Sequence, residues 1–435
     1  MIPFALIDYL LPMVALGVTG WVLSLKSPAQ NAPVLLLIGL WIFIFTAHAA
    51  VTGIALIPLY PSGIVANSYV TFAVIALALA FVMTRAIISG ANPARPNPST
   101  EISPDHVPDS PLPHPFLILM LALYAILVLL LMVRTAIRIT GTGDVLSSMQ
   151  YLRFRLNYDA ADWGIVKYLS LSVTAFSVYA VVATRGMRTR TRWPVYIAVF
   201  CAITMAVIST QRTAIFMILI ALAFAPGKGN LPSLRTVMLL GIALIIAFLG
   251  VGYSVGKAGT VDLSLGENLA TGFESFLLYM LTPLSALSQS EIWAYSTPDG
   301  SYSLRFFTSI AAKLGLFQGD IKPLVMEYSW VPGPTNVYTF VYVALADFGA
   351  MFFVYYLFVG AMLGVVFSLP RRSAAIRTIQ GFCYYPIIMT LYQDQFLTIT
   401  SQWIQIIIFV TFAHAVASVT QGHRKRQTAG ETVSA

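Results

Sequence analysis

The stretch Thr335-Asn336-Val337-Tyr338-Thr339-Phe340 runs directly into an apolar segment that carries Asp347-Phe348-Gly349, and it closes the longest polar interruption in the chain. On either side of that interruption the sequence is built mainly of apolar runs. The non-membrane residues are therefore concentrated in one outward-facing region, and that is where function is to be sought.

Composition sets the class. Of 435 residues, 58% are hydrophobic and 10% charged, with a mean hydropathy of +0.81. So little polar surface could not cover such a core in water, which excludes a soluble domain. The expected fold is an all-α polytopic membrane protein. Crossing about 30 Å of hydrocarbon takes roughly 20 residues at 1.5 Å each. About 11 runs, in a range of 10 to 13, meet that need: 4–25, 33–57, 64–84, 115–133, 165–183, 193–208, 213–225, 236–253, 337–367, 379–393 and 403–418.

Basic residues near span ends are retained on the cytoplasmic side. Arg185, Arg188, Arg190 and Arg192 form one cluster, Arg371, Arg372 and Arg377 a second, and Arg424, Lys425 and Arg426 a third. With this span set all three fall on one side, along with 15 of the 25 Lys+Arg but only 4 of the 17 Asp+Glu. The net +8 is thus a topology signal, and no nucleic-acid partner is expected. The N-terminus is expected outside and the C-terminus inside. The first apolar run starts almost at Met1 without a basic leader, so it is expected to be a retained span. Cys201 and Cys383 both fall in expected spans and read as small core residues.

The whole chain, 1–435, is expected to form one integral membrane domain. Residues 91–114 are so rich in proline that they read as an extended inward loop, and 422–435 as a short polar tail. The outward segments carry the chemistry-bearing residues. One, about 134–164, holds Arg138, Arg153, Arg155, Tyr158, Asp159 and Asp162. A second is the tight connection Ser209-Thr210-Gln211-Arg212-Thr213, between two spans so short that Arg212 is expected below the outer membrane surface. The third, 254–336, is expected to be a large folded loop carrying short amphipathic helices. In it Phe273, Phe276, Leu277, Met280, Leu281 and Leu284 recur at helical spacing, a stripe that could lie along the bilayer, with Pro283 kinking or ending the helix. Arg305, Lys313, Lys322 and Glu327 follow, then Trp330 and Pro332-Gly333-Pro334.

Arg212 opening a span after Ser-Thr-Gln, an arginine-bearing outward segment around Arg153, a large outward loop, and Thr335 to Phe340 followed by Asp347-Phe348-Gly349 together resemble the O-antigen polymerases, the oligosaccharide repeat-unit polymerases of the Wzy type. The likeness covers about residues 135–415 and is most specific at 335–349. It implies a membrane glycosyltransferase of the lipid-donor, GT-C-like architecture in the bacterial inner membrane, with its site facing the periplasm. The growing glycan on undecaprenyl pyrophosphate would be the donor, the incoming lipid-linked unit the acceptor, and undecaprenyl pyrophosphate the leaving group. Implied partners are these lipid-linked glycans, membrane lipids and a chain-length regulator protein. The related O-antigen ligases typically place a histidine where the outward loop re-enters the membrane. Here Thr335-Asn336 occupies that junction, and His48, His106, His114, His414 and His423 all lie elsewhere.

Residue chemistry points the same way. A departing pyrophosphate gathers negative charge, which fixed arginines stabilise through charge-assisted, often bidentate hydrogen bonds. No cofactor or metal is expected, since protein cations can serve. The paired-aspartate signature of nucleotide-sugar enzymes does not occur. Gly252 to Lys257 falls one residue short of a phosphate loop and is followed by Ala258. The expected catalytic set is Arg212, Arg153, Arg305 and Glu327, and the substrate-binding set Asn336, Tyr338, Arg155 and Asp347.

Each has a plainer reading. Arg212 could be an interfacial snorkelling residue, and Arg305 a solvated loop residue. Asn336 and Tyr338 could be a helix cap and an interfacial anchor. Arg153 and Arg155 stand two apart, so on a helix only one can face a given site, and Arg153 is favoured. Asp347, eleven residues past Asn336, would share its face on a continuous helix; in the membrane it suits a structural network better than a base. The acceptor's proton could go to Glu327, Asp320, Glu274 or Asp394. The alternatives are a ligase-type transferase and a transporter of lipid-linked oligosaccharide, although the sequence shows no internal repeat of the transporter kind.

Overall fold

The computed structural model describes residues 6–26, 28–90, 113–145, 147–158, 162–227, 233–254, 264–290, 299–319, 321–322 and 326–433. Lys257, Asp159, Asp320 and nearly all of the proline-rich loop lie outside them, as do the side chains of the C-terminal tail.

The helices in order are α1 (Ile7–Lys26), α2 (Ala32–Gly53), α3 (Ile64–Gly90), α4 (Pro115–Thr140), α5 (Met149–Tyr158), α6 (Ile165–Ala183), α7 (Thr189–Ile208), α8 (Arg212–Phe224), α9 (Leu234–Ser254), α10 (Leu265–Gln289), α11 (Arg305–Lys313), α12 (Val341–Phe348), α13 (Phe352–Ser368), α14 (Ala374–Met389) and α15 (Thr400–Val433). Strand structure among the described residues is a two-residue hairpin, β1 (Ser329–Trp330) against β2 (Pro334–Thr335). Nine spans among the described residues are long and apolar enough to cross a membrane, α12 and α13 counting as one. The protein is an all-α polytopic membrane protein.

The other two expected spans are α8, with 13 residues, and α14, with 16. At 1.5 Å per residue they reach about 20 Å and about 24 Å, short of a bilayer core. They lie against each other. The rings of Phe224 and Tyr384 stack at 4.0 Å, and a Cβ on Gly381 would meet the Cβ of Ala225 at 2.4 Å. Two short helices thus share one place in the bundle.

The closest approach of long helices is α13 on α3. A Cβ at Gly360 would stand 2.2 Å from the carbonyl oxygen of Leu77, and one at Gly364 2.8 Å from that of Phe81. Small residues four apart let two backbones touch, which suits a medium where dispersion rather than water exclusion joins helices.

The Asp347-Phe348-Gly349 stretch interrupts its span. Gly349 has φ +52° and ψ −128°, a conformation open chiefly to glycine, and a single 3-10 turn over Gly349–Met351 leads into α13. The helix begins only at Val341, so Asn336 and Asp347 do not share a helical face. That expectation assumed unbroken helix from Asn336, but residues 336–340 are irregular.

The apolar stripe of the outward loop also differs from expectation. It belongs to α10, which runs through Pro283 without ending, started by a capping box of Ser264 and Glu267. From Phe276 onward the stripe turns into the protein core. Leu281, Leu284 and Leu287 are fully buried, Ser285 Oγ meets His48 Nε2 at 2.9 Å, and Ser288 Oγ accepts from the Gly63 amide at 2.9 Å. Only the first half, with Phe273 exposed, is free to face lipid.

Candidate functional site

At the end of the bundle carrying Arg185 and Arg371, α8 is fastened from both sides. Arg371 Nη2 donates to the carbonyls of Phe224 and Ala225 at 3.1 and 3.3 Å, and Arg185 Nη1 donates to that of Pro226. Cations on C-terminal carbonyls stabilise a helix end. At about 20 Å, α8 reaches from that face to Arg212 across roughly 10 Å less than a 30 Å hydrocarbon layer. The turn before it is strained: Thr210, β-branched and buried, has φ +56°. Such outliers persist where surrounding structure enforces them.

The Arg212 guanidinium lies 3.8 Å from the Phe248 ring centroid of α9 and 5.6 Å from that of Tyr279 of α10. Its Nε and Nη2 are buried and meet no hydrogen-bond acceptor among the described residues. Tyr279 in turn faces Tyr392 at 4.9 Å. Arg153 of α5 is close enough for its charge to oppose that of Arg212, and it acts on Tyr279 as well. Aromatic faces hold the cation without using its donors. Arg212, three aromatic rings and the amino end of α8 therefore meet in one buried recess, with Arg153 within range of its charge, and two Arg212 nitrogens have no acceptor among the described residues. Gln211, the residue preceding α8, makes no side-chain cap there.

Arg155 points elsewhere, with its guanidinium over Tyr151 one turn earlier at 5.8 Å and Nη1 donating to the Tyr151 hydroxyl at 3.2 Å. The two arginines of α5 diverge as their spacing requires.

Asp347 is wholly buried and well supplied with donors. Oδ1 accepts from the Tyr302 amide at 3.1 Å, and Oδ2 accepts from the amide and hydroxyl of Ser303 at 2.6 and 2.5 Å. It thereby ties the turn before α11 to α12, and Arg305, the first residue of α11, is carried on that turn. Arg305 is half-buried, burial lowers its pKa from the usual guanidinium value, and its Nη1 has no partner among the described residues. Tyr338 is buried, its ring stacked on Tyr342 at 4.2 Å and its hydroxyl donating to the Glu327 carbonyl at 3.1 Å. Glu327 itself is exposed, as is Glu274, and Asn336 is half-buried.

The connection 390–399 between α14 and α15, which sequence reasoning touched only at Asp394, joins these two groups. Tyr392 faces the Arg212 recess. Thr390 accepts from the Phe340 amide at 3.1 Å and from Trp41 Nε1 at 3.2 Å. Gln395 accepts from the Tyr385 hydroxyl at 3.2 Å. Asp394 is sealed inside, accepting from the Tyr355 hydroxyl and, at 2.6 Å, from the Phe396 amide. Burial pushes its carboxyl up to about 7, against the lowering effect of those bonds. Among the described residues no three His, Cys, Asp or Glu side chains gather as a metal group.

A buried arginine with two nitrogens lacking an acceptor among the described residues, set in a multi-span helical bundle, defines a polytopic membrane protein with a candidate anion-facing group. By sequence, 219 residues are 26% identical to a protein of Escherichia coli (strain K12) named "Putative O-antigen polymerase", a match covering 48% of this chain and 51% of that relative. The chain thus spans about half the length of the curated relative it matches. No family model matches, and no solved structure does.

Proposed function

We propose that the chain is a membrane glycosyltransferase that polymerises undecaprenyl-pyrophosphate-linked oligosaccharide repeat units in the bacterial inner membrane, with its site toward the periplasm. The observation that carries this reading is the recess around Arg212: a buried guanidinium with two unoccupied nitrogens, a second arginine beside it, and the positive end of a helix underneath. Each favours an anion of phosphate type. The name of the Escherichia coli relative supports the same direction.

In this mechanism an acceptor hydroxyl attacks the anomeric carbon of the growing glycan. The bond between that carbon and the pyrophosphate oxygen breaks, and undecaprenyl pyrophosphate departs with the electron pair. Arg212 and Arg153 stabilise the charge that gathers on it, and Arg305 adds a third cation from the loop. The acceptor's proton goes to a carboxylate. Asp347 has its oxygens engaged and Asp394 is sealed, which leaves Glu327 and Glu274 exposed among the described candidates; the proton is assigned to Glu327, beside the Tyr338 hydroxyl. Asn336 and Tyr338 line the approach. A chain-length regulator is the protein partner this activity calls for.

Purified protein supplied only with lipid-linked repeat units is expected to make polymer without sugar nucleotide or added metal. A strict need for a sugar nucleotide, or loss of activity in chelator, overturns the reading.

A further inference from the structure

At the opposite end of the bundle a second group of arginines is left incompletely partnered. Arg371 and Arg185 converge on three successive carbonyls at the end of α8, those of Phe224, Ala225 and Pro226. Tyr384, stacked on Phe224, brings α14 to the same spot. Arg85, at the end of α3, lies over Phe81 and donates to the Gln30 carbonyl. Arg377 stands one turn into α14, past its Ser373 cap. The charges form a connected series: Arg85 and Arg371 both act on Tyr384, Arg377 acts on Arg371, and Arg185 acts on Arg377.

The Nε atoms of Arg85, Arg371 and Arg377 are each buried without an acceptor among the described residues. Among the described residues, none of these three arginines is set against a carboxylate. Three arginines with buried, unfilled donors, and the exposed Arg185 beside them, gather like charge that an anion would offset. The carbonyls of residues 224–226 occupy only part of the donor set. Tyr384 adds a hydroxyl.

We propose that Arg85, Arg185, Arg371 and Arg377, with Tyr384, form a binding site for the phosphate of an anionic phospholipid headgroup between the ends of α3, α6, α8 and α14. The chemistry recognised is a phosphate anion, which a free inorganic phosphate also carries. The position at helix ends, where headgroups lie, favours the lipid. The site is separate from the Arg212 recess, at the other end of α8, so failure here leaves the polymerase reading untouched.

The test uses the full-length protein purified in a neutral detergent. Native mass spectrometry and thermal unfolding are followed with cardiolipin, phosphatidylglycerol, phosphatidylcholine and inorganic phosphate as separate additions. Wild-type protein is expected to retain cardiolipin or phosphatidylglycerol at least tenfold better than phosphatidylcholine and to melt higher with them. Arg377→Gln, which removes a side chain with no backbone carbonyl to hold, is expected to lower that preference about fivefold, on the scale of one basic residue at a lipid surface. If inorganic phosphate alone raises the melting temperature as far as the anionic lipids do, the site takes free phosphate and the lipid assignment is overturned. Equal retention of anionic and zwitterionic lipid by wild-type protein overturns the proposal whether or not the variant folds. So does a preference unchanged in Arg377→Gln.

Discussion

Arg212 and Asp347 are both charged residues placed inside the bundle, and their surroundings could hardly differ more. Asp347 accepts three hydrogen bonds from Tyr302 and Ser303, all supplied by its own chain. Arg212 rests on the faces of Phe248 and Tyr279, with two nitrogens given no acceptor among the described residues. A buried charge whose bonds are filled from within is a fastening. One whose bonds are left open, at the cost of its desolvation, is held ready for something that arrives from outside.

The comparison breaks most directly at Arg212. Arg212→Ala is expected to lower polymer formation about 100- to 1000-fold in well-folded protein, the usual loss when a preorganised charge stabiliser is removed. Arg212→Lys should recover only part, because lysine acts as a point charge and cannot hold two oxygens in a fork. Normal polymerisation by Arg212→Ala would make the residue an interface anchor. Asp347→Ala should instead fail in folding. Three donors lose their acceptor at roughly 1 kcal/mol or more each, so a lower melting temperature and poor recovery from size-exclusion chromatography are expected, with Asp347→Asn intermediate. A stable but inactive Asp347→Ala would reverse the two roles.

Smaller changes sharpen the contrast. Phe248→Leu keeps apolar bulk under Arg212 but removes the ring, and turnover should fall about fivefold, near the 1 kcal/mol of a partly desolvated cation–π contact, with melting little changed. Arg155→Gln removes the contact with Tyr151 and should alter turnover by less than about twofold. An effect as large as that at Arg212 would place Arg155 in the recess after all.

The spans were legible because a bilayer demands long apolar runs, and the shortness of α8 was legible in the brevity of its apolar run. Other features depend on contacts between distant residues. The stripe of α10 has one periodicity whether it faces lipid or protein, so Leu281 and Leu284 could not reveal that they turn into the core. The shared face assigned to Asn336 and Asp347 required continuous helix, and only the backbone shows that α12 starts at Val341. Tyr279 and Tyr392 stand 113 positions apart in sequence, and nothing local marks them as two walls of one recess. The conspicuous Asp347-Phe348-Gly349 stretch holds a hydrogen-bonded carboxylate followed by a glycine bend, while the quieter Ser209 to Thr213 turn leads to Arg212.

The thirteen residues of α8 act as a plumb line. Their upper end is fastened at the arginine-rich face, so the depth of Arg212 is gauged from that face and is indifferent to where the far one lies. Stretching the acyl chains of the host bilayer raises the far surface while the recess stays where it was, and under the proposed reaction a lipid-borne pyrophosphate would then have to sink further to meet it. Membrane thickness would become a quantity to which this protein responds without moving a helix.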